Sequence, residues 1–427
     1  MLTSDPRISA ESSLPKTWAR QYFTVWTGQA FSLVGSALVQ FSLVWWLTQK
    51  TGSATVLTTS SLVALLPQIV LGPFIGTMVD RWNRRLIMIL ADSSIALVTG
   101  LLMILFALGK VQLCHVYLTL FLRSLGGAFQ SPAMTSSTSL MVPDNFLTRV
   151  AGMNNTLQGF ISIFSPPLGA LLLGLLPMEQ VLAVDIFTAT MAVIPLFFIP
   201  IPQPQPRVSH SGETDGKVSY WYDIKEGFRY VVKWQGLLGI LLLAMLLNFM
   251  LSPASSLLPL LVKQEFHGGA QQLGWVESTI GMGVILGGIT LSAWGGFKHR
   301  IVTCFSGIIG IGVGISVVGL TPGNMFWLLL GSNFILGFSQ VLANGPLFAI
   351  FQSAVSPEMQ GRVFSLIGAG AAAMMPLSLL IAGPLSDWMG IRIWYIMGGA
   401  VCIVVAVVAF FIPSIMNIEQ SRNSSLI

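Results

Sequence analysis

The chain has 427 residues, of which 54% are hydrophobic and 9% are charged, and it carries a formal net charge of +5. A soluble domain contains about 25% charged residues, so this composition excludes an ordinary soluble protein and indicates a multi-pass membrane protein. The Lys and Arg residues are dispersed between apolar segments and do not form the basic cluster that phosphate binding needs. We therefore expect no nucleic-acid partner.

Twelve apolar segments follow a polar tail of residues 1–20, and each is long enough to cross a bilayer as a helix. The first of them is too long to be the core of a signal peptide, so we expect it to be retained as the first span. The sequence thus predicts an all-α polytopic membrane protein with twelve transmembrane helices. We place them at residues 22–48, 56–79, 86–109, 113–140, 148–176, 179–200, 236–262, 272–297, 301–320, 324–354, 362–387 and 391–412.

The distribution of basic residues orients these spans. With the amino terminus inside, 16 of the 21 Lys and Arg residues fall on inside segments and four on outside connections, while Arg123 falls within a span. Basic residues accumulate on the cytoplasmic side of membrane proteins. This pattern predicts that both termini are cytoplasmic and that the membrane is a plasma membrane or an inner membrane.

The longest connection separates six spans from six. It opens with the helix-breaking sequence IPQPQP and ends in a stretch where Ile224, Phe228, Val231 and Val232 can share one helical face. That pattern predicts an amphipathic helix on the inner membrane surface. We divide the chain into a tail (1–20), a six-helix bundle (21–200), a linker (201–235), a second six-helix bundle (236–413) and a tail (414–427).

The two halves of the chain show internal similarity. Leu71–Arg85 and Leu286–Arg300 have equal length, begin with Leu-Gly and end in a basic turn. Gly295 stands in the second segment where Asp80 stands in the first. The fourth and tenth spans each contain a proline that is followed, eleven residues later, by a second proline just beyond the span. These matches indicate an internal duplication, which is common in transporters.

Four spans carry polar side chains spaced by three or four residues, which places each set on one helical face. Such faces avoid lipid, because hydrocarbon offers no hydrogen-bond partners. They occur in the first, fourth, seventh and tenth spans, which favours one shared substrate cavity; hydrogen bonding between helices is the alternative. The candidate cavity residues are Gln29, Ser32, Ser36, Gln40, Gln130, Asn248, Ser252, Asn333, Gln340 and Asn344.

Four ionisable residues fall inside spans, where such residues are rare and often functional. Arg123 lies about ten residues into the fourth span and cannot face lipid at low cost. Asp92, Asp185 and Glu277 are carboxylates that could exchange protons near neutral pH if they were desolvated. The alternatives are a structural role for Asp92, and an ion pair or an interfacial position for Asp185 and Glu277. All four are candidates for proton coupling.

The sequence contains no phosphate-binding loop, nucleophile elbow or HExxH metal motif. Its cysteines and histidines lack the spacing of a metal site. We therefore expect no enzymatic activity, no cofactor and no metal. Without an ATP site, uphill transport would have to draw on an ion gradient.

Three short motifs resemble those of one family. GTMVDRWNRR, from Gly76, resembles the loop motif of the major facilitator superfamily between its second and third spans. RSLGG from Arg123 resembles that family's fourth-span motif, and SPPLG from Ser165 resembles the fifth-span motif of its antiporters. Asn83 stands where the loop motif usually has glycine, and we expect it to adopt a left-handed turn conformation.

A longer resemblance narrows the group. WTGQAFSLVGSALVQFSLVWWLTQKTGSA, GPFIGTMVDR and GRVFSLIG are similar to the macrolide-efflux proteins, a group of proton-coupled drug antiporters in that superfamily. The likeness extends over nearly the whole chain. It implies alternating access between two six-helix bundles, with the substrate near the middle of the bilayer.

The resemblance also implies roles for the loop between the second and third spans. The motif residues would stabilise the outward-facing state. The Asp80 carboxylate would contact the eleventh helix at its N-terminus, where the helix dipole favours negative charge. The basic residues would hold a local charge network. The residues of this loop motif are Gly76, Asp80, Arg81, Arg84 and Arg85.

Together these features predict a secondary transporter that exports lipophilic drugs such as macrolides by proton antiport. Its partners would be a small-molecule substrate, protons and the lipid bilayer, and it would function as a monomer. Export of a siderophore or another amphiphilic metabolite is the first alternative. A membrane sensor or scaffold that does not transport is an alternative of another class.

Overall fold

The computed structural model describes residues 17–203 and 228–417, which are almost entirely helical and contain no strand. Residues 1–16 and 418–427 of the two predicted tails, and the first part of the predicted amphipathic helix, including Ile224, lie outside the described residues. Residues 228–233 are helical. Within this turn Val231 is buried, whereas Phe228 is exposed.

Twelve long helices coincide with the twelve predicted spans to within about five residues at every end. The prediction of an all-α fold with twelve long helices is confirmed. The helices are α1 (Trp18–Thr51), α2 (Ala54–Arg81), α3 (Arg84–Ala107), α4 (Leu113–Met141), α5 (Asp144–Leu175), α6 (Met178–Phe198), α7 (Gln235–Glu265), α8 (Ala270–Trp294), α9 (Arg300–Leu320), α10 (Phe326–Ala354), α11 (Pro357–Met389) and α12 (Arg392–Phe410), followed by the short α13 (Pro413–Met416).

Eleven of the described helices are long and apolar enough to cross a membrane, and α4 is the long helix outside that set. Its hydropathy is lowered by Arg123 and by a run of hydroxyl residues near its end. Those hydroxyl groups bond within the helix: Ser137 donates to the Ala133 carbonyl at 2.7 Å and Thr138 to the Met134 carbonyl at 3.0 Å. Such internal bonds satisfy hydroxyl groups that hydrocarbon cannot.

Helix α3 shows how polarity is distributed in the bundle. Leu90, Leu97 and Leu101 lie on its outer face and are each more than half exposed. Its opposite face buries Asp92 and Thr99, at 3% and 0% exposure. This arrangement is the reverse of a soluble helix, because lipid accepts apolar side chains and leaves polar groups without hydrogen bonds.

Asn83 corrects one expectation from the sequence. Its backbone is extended, with φ −66° and ψ 109°, so the predicted left-handed conformation is wrong. Its side-chain oxygen accepts a hydrogen bond from the Leu86 backbone N–H at 3.2 Å. Asn83 is therefore the N-cap of α3, a position that favours a short side chain with an acceptor oxygen.

Corresponding helices of the two halves differ in length by at most three residues. α1 to α6 contain 34, 28, 24, 29, 32 and 21 residues, and α7 to α12 contain 31, 25, 21, 29, 33 and 19. The halves differ at the end of the second helix. α2 continues through Asp80 to Arg81, whereas α8 ends at Trp294 and is capped by Gly295 at φ 77°. The glycine in place of Asp80 thus terminates its helix.

The described residues form two compact units. Unit 1 contains residues 17–46 and 63–203, and unit 2 contains residues 47–62 and 228–417. The last turn of α1 and the start of α2 are therefore part of unit 2. Within unit 1, α3 packs against α4 and α6; within unit 2, α9 packs against α10 and α12, and α7 packs against α11. The domain boundaries at 21–200 and 236–413 stay a prediction.

Two polar contacts tie α12 to α7 within unit 2. The Tyr395 hydroxyl donates to the Ala254 carbonyl at 2.5 Å, and the Trp394 indole N–H donates to the Met250 carbonyl at 3.0 Å. Tyr395 is only 2% exposed. A buried hydroxyl group without a hydrogen bond would destabilise the fold, and this bond to the Ala254 carbonyl avoids that cost.

Replacing Tyr395 with Phe should lower the stability of the protein by about 1 kcal/mol, because it removes one buried hydrogen bond and keeps the ring. The measurement is thermal unfolding of the purified protein in detergent. Tyr230→Phe is the matched control, since the Tyr230 hydroxyl makes no hydrogen bond within the described residues. An unchanged melting temperature for Tyr395→Phe would contradict the expectation.

Candidate functional site

Unit 1 contains a polar cavity of about 290 Å³ between α1, α2, α3 and α4. Polar side chains from the predicted stripes face it from α1 and α4, and Leu33, Ile95 and Leu120 supply apolar wall. Six candidate residues line this cavity: Ser32, Ser36, Gln40, Asp92, Arg123 and Gln130.

Arg123 of α4 and Asp185 of α6 form an ion pair inside unit 1. The Arg123 Nη1 group contacts the Asp185 Oδ2 atom, and the two side chains are 7% and 0% exposed. Asp185 also accepts hydrogen bonds from Ser36 Oγ at 3.0 Å and from Thr99 Oγ1 at 3.1 Å. Four helices, α1, α3, α4 and α6, therefore meet at one carboxylate.

Close approach of α1 and α6 makes this contact possible. A Cβ atom at Gly35 would lie 2.1 Å from the Thr188 hydroxyl oxygen, which is closer than real Cβ contacts allow. Glycine at this position lets α1 pack against α6. The next residue, Ser36, can then reach the Asp185 carboxylate.

A second polar network joins α1, α3 and α4. The Gln29 side-chain amide donates to the Asp92 Oδ2 atom at 2.8 Å, and the Gln130 side-chain amide donates to the Gln29 Oε1 atom. All three side chains are at least nine-tenths buried. Gln29 does not line the cavity itself but orients the carboxylate that does.

The two networks are separated by seven residues on each of three helices. Seven residues are about two helical turns, or roughly 10 Å along the axis, so both networks lie on the same faces at different depths. The pairs are Gln29 and Ser36 on α1, Asp92 and Thr99 on α3, and Gln130 and Arg123 on α4. Sequence reasoning missed Thr99, although its position seven residues after Asp92 was a usable signal.

The charges of the two networks differ. The positive charge of Arg123 is balanced by Asp185, since the two groups are in contact. No cation pairs with Asp92 in the part of the chain that the structure describes, and its hydrogen-bond donor is the neutral amide of Gln29. Asp92 is therefore the carboxylate of this cavity without a counter-ion among the described residues.

Unit 2 contains a larger and less polar cavity of about 350 Å³, with walls from α7, α8, α9, α10 and α11. The Asn248 amide donates to the Ala244 carbonyl of its own helix at 2.9 Å. No hydrogen bond engages the Gln340 and Asn344 amides within the described residues, and both are exposed to the cavity. Four candidate residues line this cavity: Asn248, Ser252, Gln340 and Asn344.

Two further candidates line neither cavity and take no part in the two polar networks of unit 1. Asn333 is 2% exposed and donates to the Leu329 carbonyl of its own helix at 2.8 Å. Glu277 is half-buried on α8 and has no hydrogen bond or ion pair among the described residues. Glu277 belongs to unit 2, whereas Asp92, Arg123 and Asp185 belong to unit 1.

Two arginines of the loop motif, both in the first turn of α3, bind neighbouring helices of unit 1. The Arg84 Nη1 group donates to the Ser136 carbonyl of α4 at 2.8 Å. The Arg85 Nη2 group donates to the Phe197 carbonyl at 2.6 Å, near the end of α6. A cation is favoured beside the carbonyls at the C-terminal end of a helix.

The remaining loop residues are more exposed. The Asp80 side chain is 71% exposed and lies 3.6 Å from the Arg84 Nη2 group. Gly76 and Arg81 are exposed, and a Cβ atom at Gly76 would meet nothing within 4 Å. The implied contact of Asp80 with α11 stays a prediction.

Comparisons with known proteins agree on the kind of molecule. The family model described as Major Facilitator Superfamily matches residues 25–378. Macrolide efflux protein A of Streptococcus pyogenes is 33% identical over 402 residues, covering 94% of this chain and 98% of that protein. Multidrug efflux pump Tap of Mycolicibacterium fortuitum is 23% identical over 400 residues, covering 90% of this chain and 94% of the pump.

Solved structures show the same fold at low sequence identity. The nucleoside transporter NupG aligns with a TM-score of 0.66 and 11% identity, covering 92% of this chain and 98% of that one. A bacterial homologue of the iron transporter ferroportin, in an inward-facing state, aligns with a TM-score of 0.66 and 14% identity, covering 91% and 98%.

Removing either partner of the buried ion pair should destabilise unit 1 strongly. Asp185→Asn and Arg123→Gln should each cost about 3–5 kcal/mol, because each leaves the other charge buried and unpaired. The double variant should lose less than the sum of the two single variants. Thermal unfolding in detergent measures all three, with Asp144→Asn at the exposed start of α5 as the control. Strict additivity would show that the two groups do not interact.

Proposed function

The chain belongs to the Major Facilitator Superfamily, and from this premise we propose that it exports lipophilic drugs, macrolides among them, in exchange for protons. It is a multi-pass membrane protein whose family transports small molecules rather than catalysing reactions. The support for macrolides is the near full-length similarity to Macrolide efflux protein A. The support for proton exchange is the chemistry of the unit 1 cavity.

The proton proposal rests on one observation, which is that Asp185 and Asp92 have different ion-pair and hydrogen-bond partners. Protonating Asp185 would leave Arg123 charged and buried without its counter-ion, which is costly. Protonating Asp92 leaves no charge behind and alters one hydrogen bond from an amide. Of the four ionisable candidates, we assign the exchangeable proton to Asp92. Arg123 and Asp185 act as a fixed ion pair, and Glu277 is a second candidate in unit 2.

The two cavities differ in the substrate chemistry that they suit. Asp92 offers negative charge in the unit 1 cavity, which suits a protonated amine. The unit 2 cavity combines aliphatic walls with the free amides of Gln340 and Asn344, which suits a lipophilic body bearing oxygen atoms. A pocket of this kind, mostly apolar with a few placed polar groups, is typical of small-molecule sites.

Competition at Asp92 would couple the two fluxes. A proton and a cationic substrate cannot both be held by one carboxylate, so binding of one favours release of the other. The transporter can be driven only if the two ligands also favour different conformations. We propose that the loop bearing Asp80 biases that equilibrium, and that both termini face the cytoplasm, as the basic residues indicate.

The function is tested by a drug-susceptibility panel that includes macrolides, in a strain that lacks its own pumps. Cells that express the protein should survive higher macrolide concentrations and accumulate less drug than cells with an empty vector. An uncoupler should abolish the difference in accumulation. Export that persists without a proton gradient would rule out the coupling, and resistance to other amphiphiles alone would favour the alternative substrate.

Asp92→Asn should remove the link between proton and drug. In the wild-type protein, acidification should weaken macrolide binding by roughly 5-fold or more, because a protonated Asp92 no longer attracts a cationic group. In Asp92→Asn the affinity should not change with pH, and drug-dependent proton flux in proteoliposomes should disappear. Asp144→Asn is the matched control and should behave like the wild-type protein. Normal proton flux in Asp92→Asn would exclude Asp92 as the carrier.

A further inference from the structure

The turn that joins α1 to α2 is held within unit 2 by the ends of two other helices. Residues 47–62 belong to this unit, as do α7 and α11. We call residues 48–55 the α1–α2 turn. Neither the loop motif nor the cavity residues account for the contacts that it makes.

Asp387, in the last turn of α11, binds the start of α2. Its Oδ1 atom accepts a hydrogen bond from the Ala54 backbone N–H at 2.7 Å. Its Oδ2 atom accepts from the Thr55 backbone N–H at 3.0 Å and from Ser53 Oγ at 2.9 Å. A carboxylate is the group that the free N–H groups and the dipole at a helix N-terminus favour.

Lys263, in the last turn of α7, binds the end of α1. Its ammonium group donates to the Thr48 carbonyl at 2.8 Å and to the Gln49 carbonyl at 3.1 Å. The adjacent Gln264 amide donates to the Gly52 carbonyl at 2.9 Å. Here a cation binds carbonyls in the last turn of a helix, the end at which the helix dipole favours positive charge, which is the complementary arrangement.

The packing around the turn is fitted to these contacts. A Cβ atom at Gly383, one turn before Asp387, would lie 2.8 Å from the Thr55 Cα atom. Glycine at this position lets α2 approach α11 closely enough for the Asp387 carboxylate to reach two backbone N–H groups. The two ends of the turn are therefore bound by opposite charges. The negative charge of Asp387 binds the start of α2, and the positive charge of Lys263 binds the end of α1.

Holding this turn constrains a helix that carries candidate cavity residues. α1 is continuous from Trp18 to Thr51, and Ser32, Ser36 and Gln40 face the unit 1 cavity from it. The side chains of Asp387 and Lys263 are not fully buried, so water can replace these contacts without stranding a charge. These contacts are therefore suited to breaking and re-forming repeatedly.

We propose that Asp387 and Lys263 are positioning residues of the transport cycle. They form a clamp that stabilises the conformation in which the α1–α2 turn is seated in unit 2, and the clamp opens when α1 moves. The proposal rests on the proposed transport function, but it depends neither on the identity of the substrate nor on proton coupling.

The experiment measures access to Gln40→Cys in a protein whose three native cysteines, Cys114, Cys304 and Cys402, have been replaced. A membrane-impermeant maleimide is applied to right-side-out and inside-out vesicles. Labelling of Lys50→Cys, in the α1–α2 turn, identifies the side that the turn faces. Maximal transport velocity and KM are measured in parallel for each variant.

Asp387→Asn and Lys263→Gln should each raise the labelling rate of Cys at position 40 from the turn side, by roughly two- to fivefold. Both should lower the maximal velocity more than they change KM, because they destabilise one of the conformations between which the transporter alternates. Asp387→Glu and Lys263→Arg should return both quantities toward the wild-type values. Glu265→Gln is the matched control, since Glu265 pairs with Arg392 at 2.6 Å and does not bond to the turn.

Unchanged labelling and unchanged velocity in both single variants and in their double variant would overturn the proposal. If Asp387→Asn does not fold, Lys263→Gln and Ser53→Ala carry the same test, because each removes a different contact of the turn. Labelling needs no substrate, so its result is separable from the proposed function. Altered labelling in a protein that moves no macrolide would support the clamp and contradict the substrate.

Discussion

The ion pair between Arg123 and Asp185 is the constraint on which the interior of unit 1 depends. An isolated charge in a membrane interior is costly, and both of these side chains are almost completely buried. Each is tolerable only while the other is in contact. Because Ser36 and Thr99 also bond to Asp185, the ion pair fixes the relative position of α1, α3, α4 and α6.

This pair also defines the role of its neighbour. With Arg123 satisfied by Asp185, Asp92 is left with amide partners and a cavity in front of it. Two carboxylates in the same unit therefore differ in what protonation would cost, although their residue type is the same. The fixed pair supplies rigidity, and Asp92 supplies a charge that can change.

Charges at helix ends perform a second, separate task. Arg85 binds carbonyls at the end of α6, Lys263 binds those at the end of α1, and Asp387 binds the first N–H groups of α2. In each case the sign of the charge matches the helix end. The protein thus uses buried charge to fix helices inside a unit, and charge that is at least partly exposed to hold helix ends. The second kind of contact can be broken without leaving a charge in hydrocarbon.

The sequence by itself determined the helices and their polar faces, because span length, hydropathy and helical spacing are local properties. It placed all twelve spans and put Arg123 on a polar face that avoids lipid. The tertiary structure decided which acid Arg123 pairs with, since Asp185 lies 62 residues away and two helices later. It also decided that Asn83 caps a helix and that Asp387, although distant in sequence, binds the start of α2. Such partnerships depend on packing between helices, which no local pattern encodes.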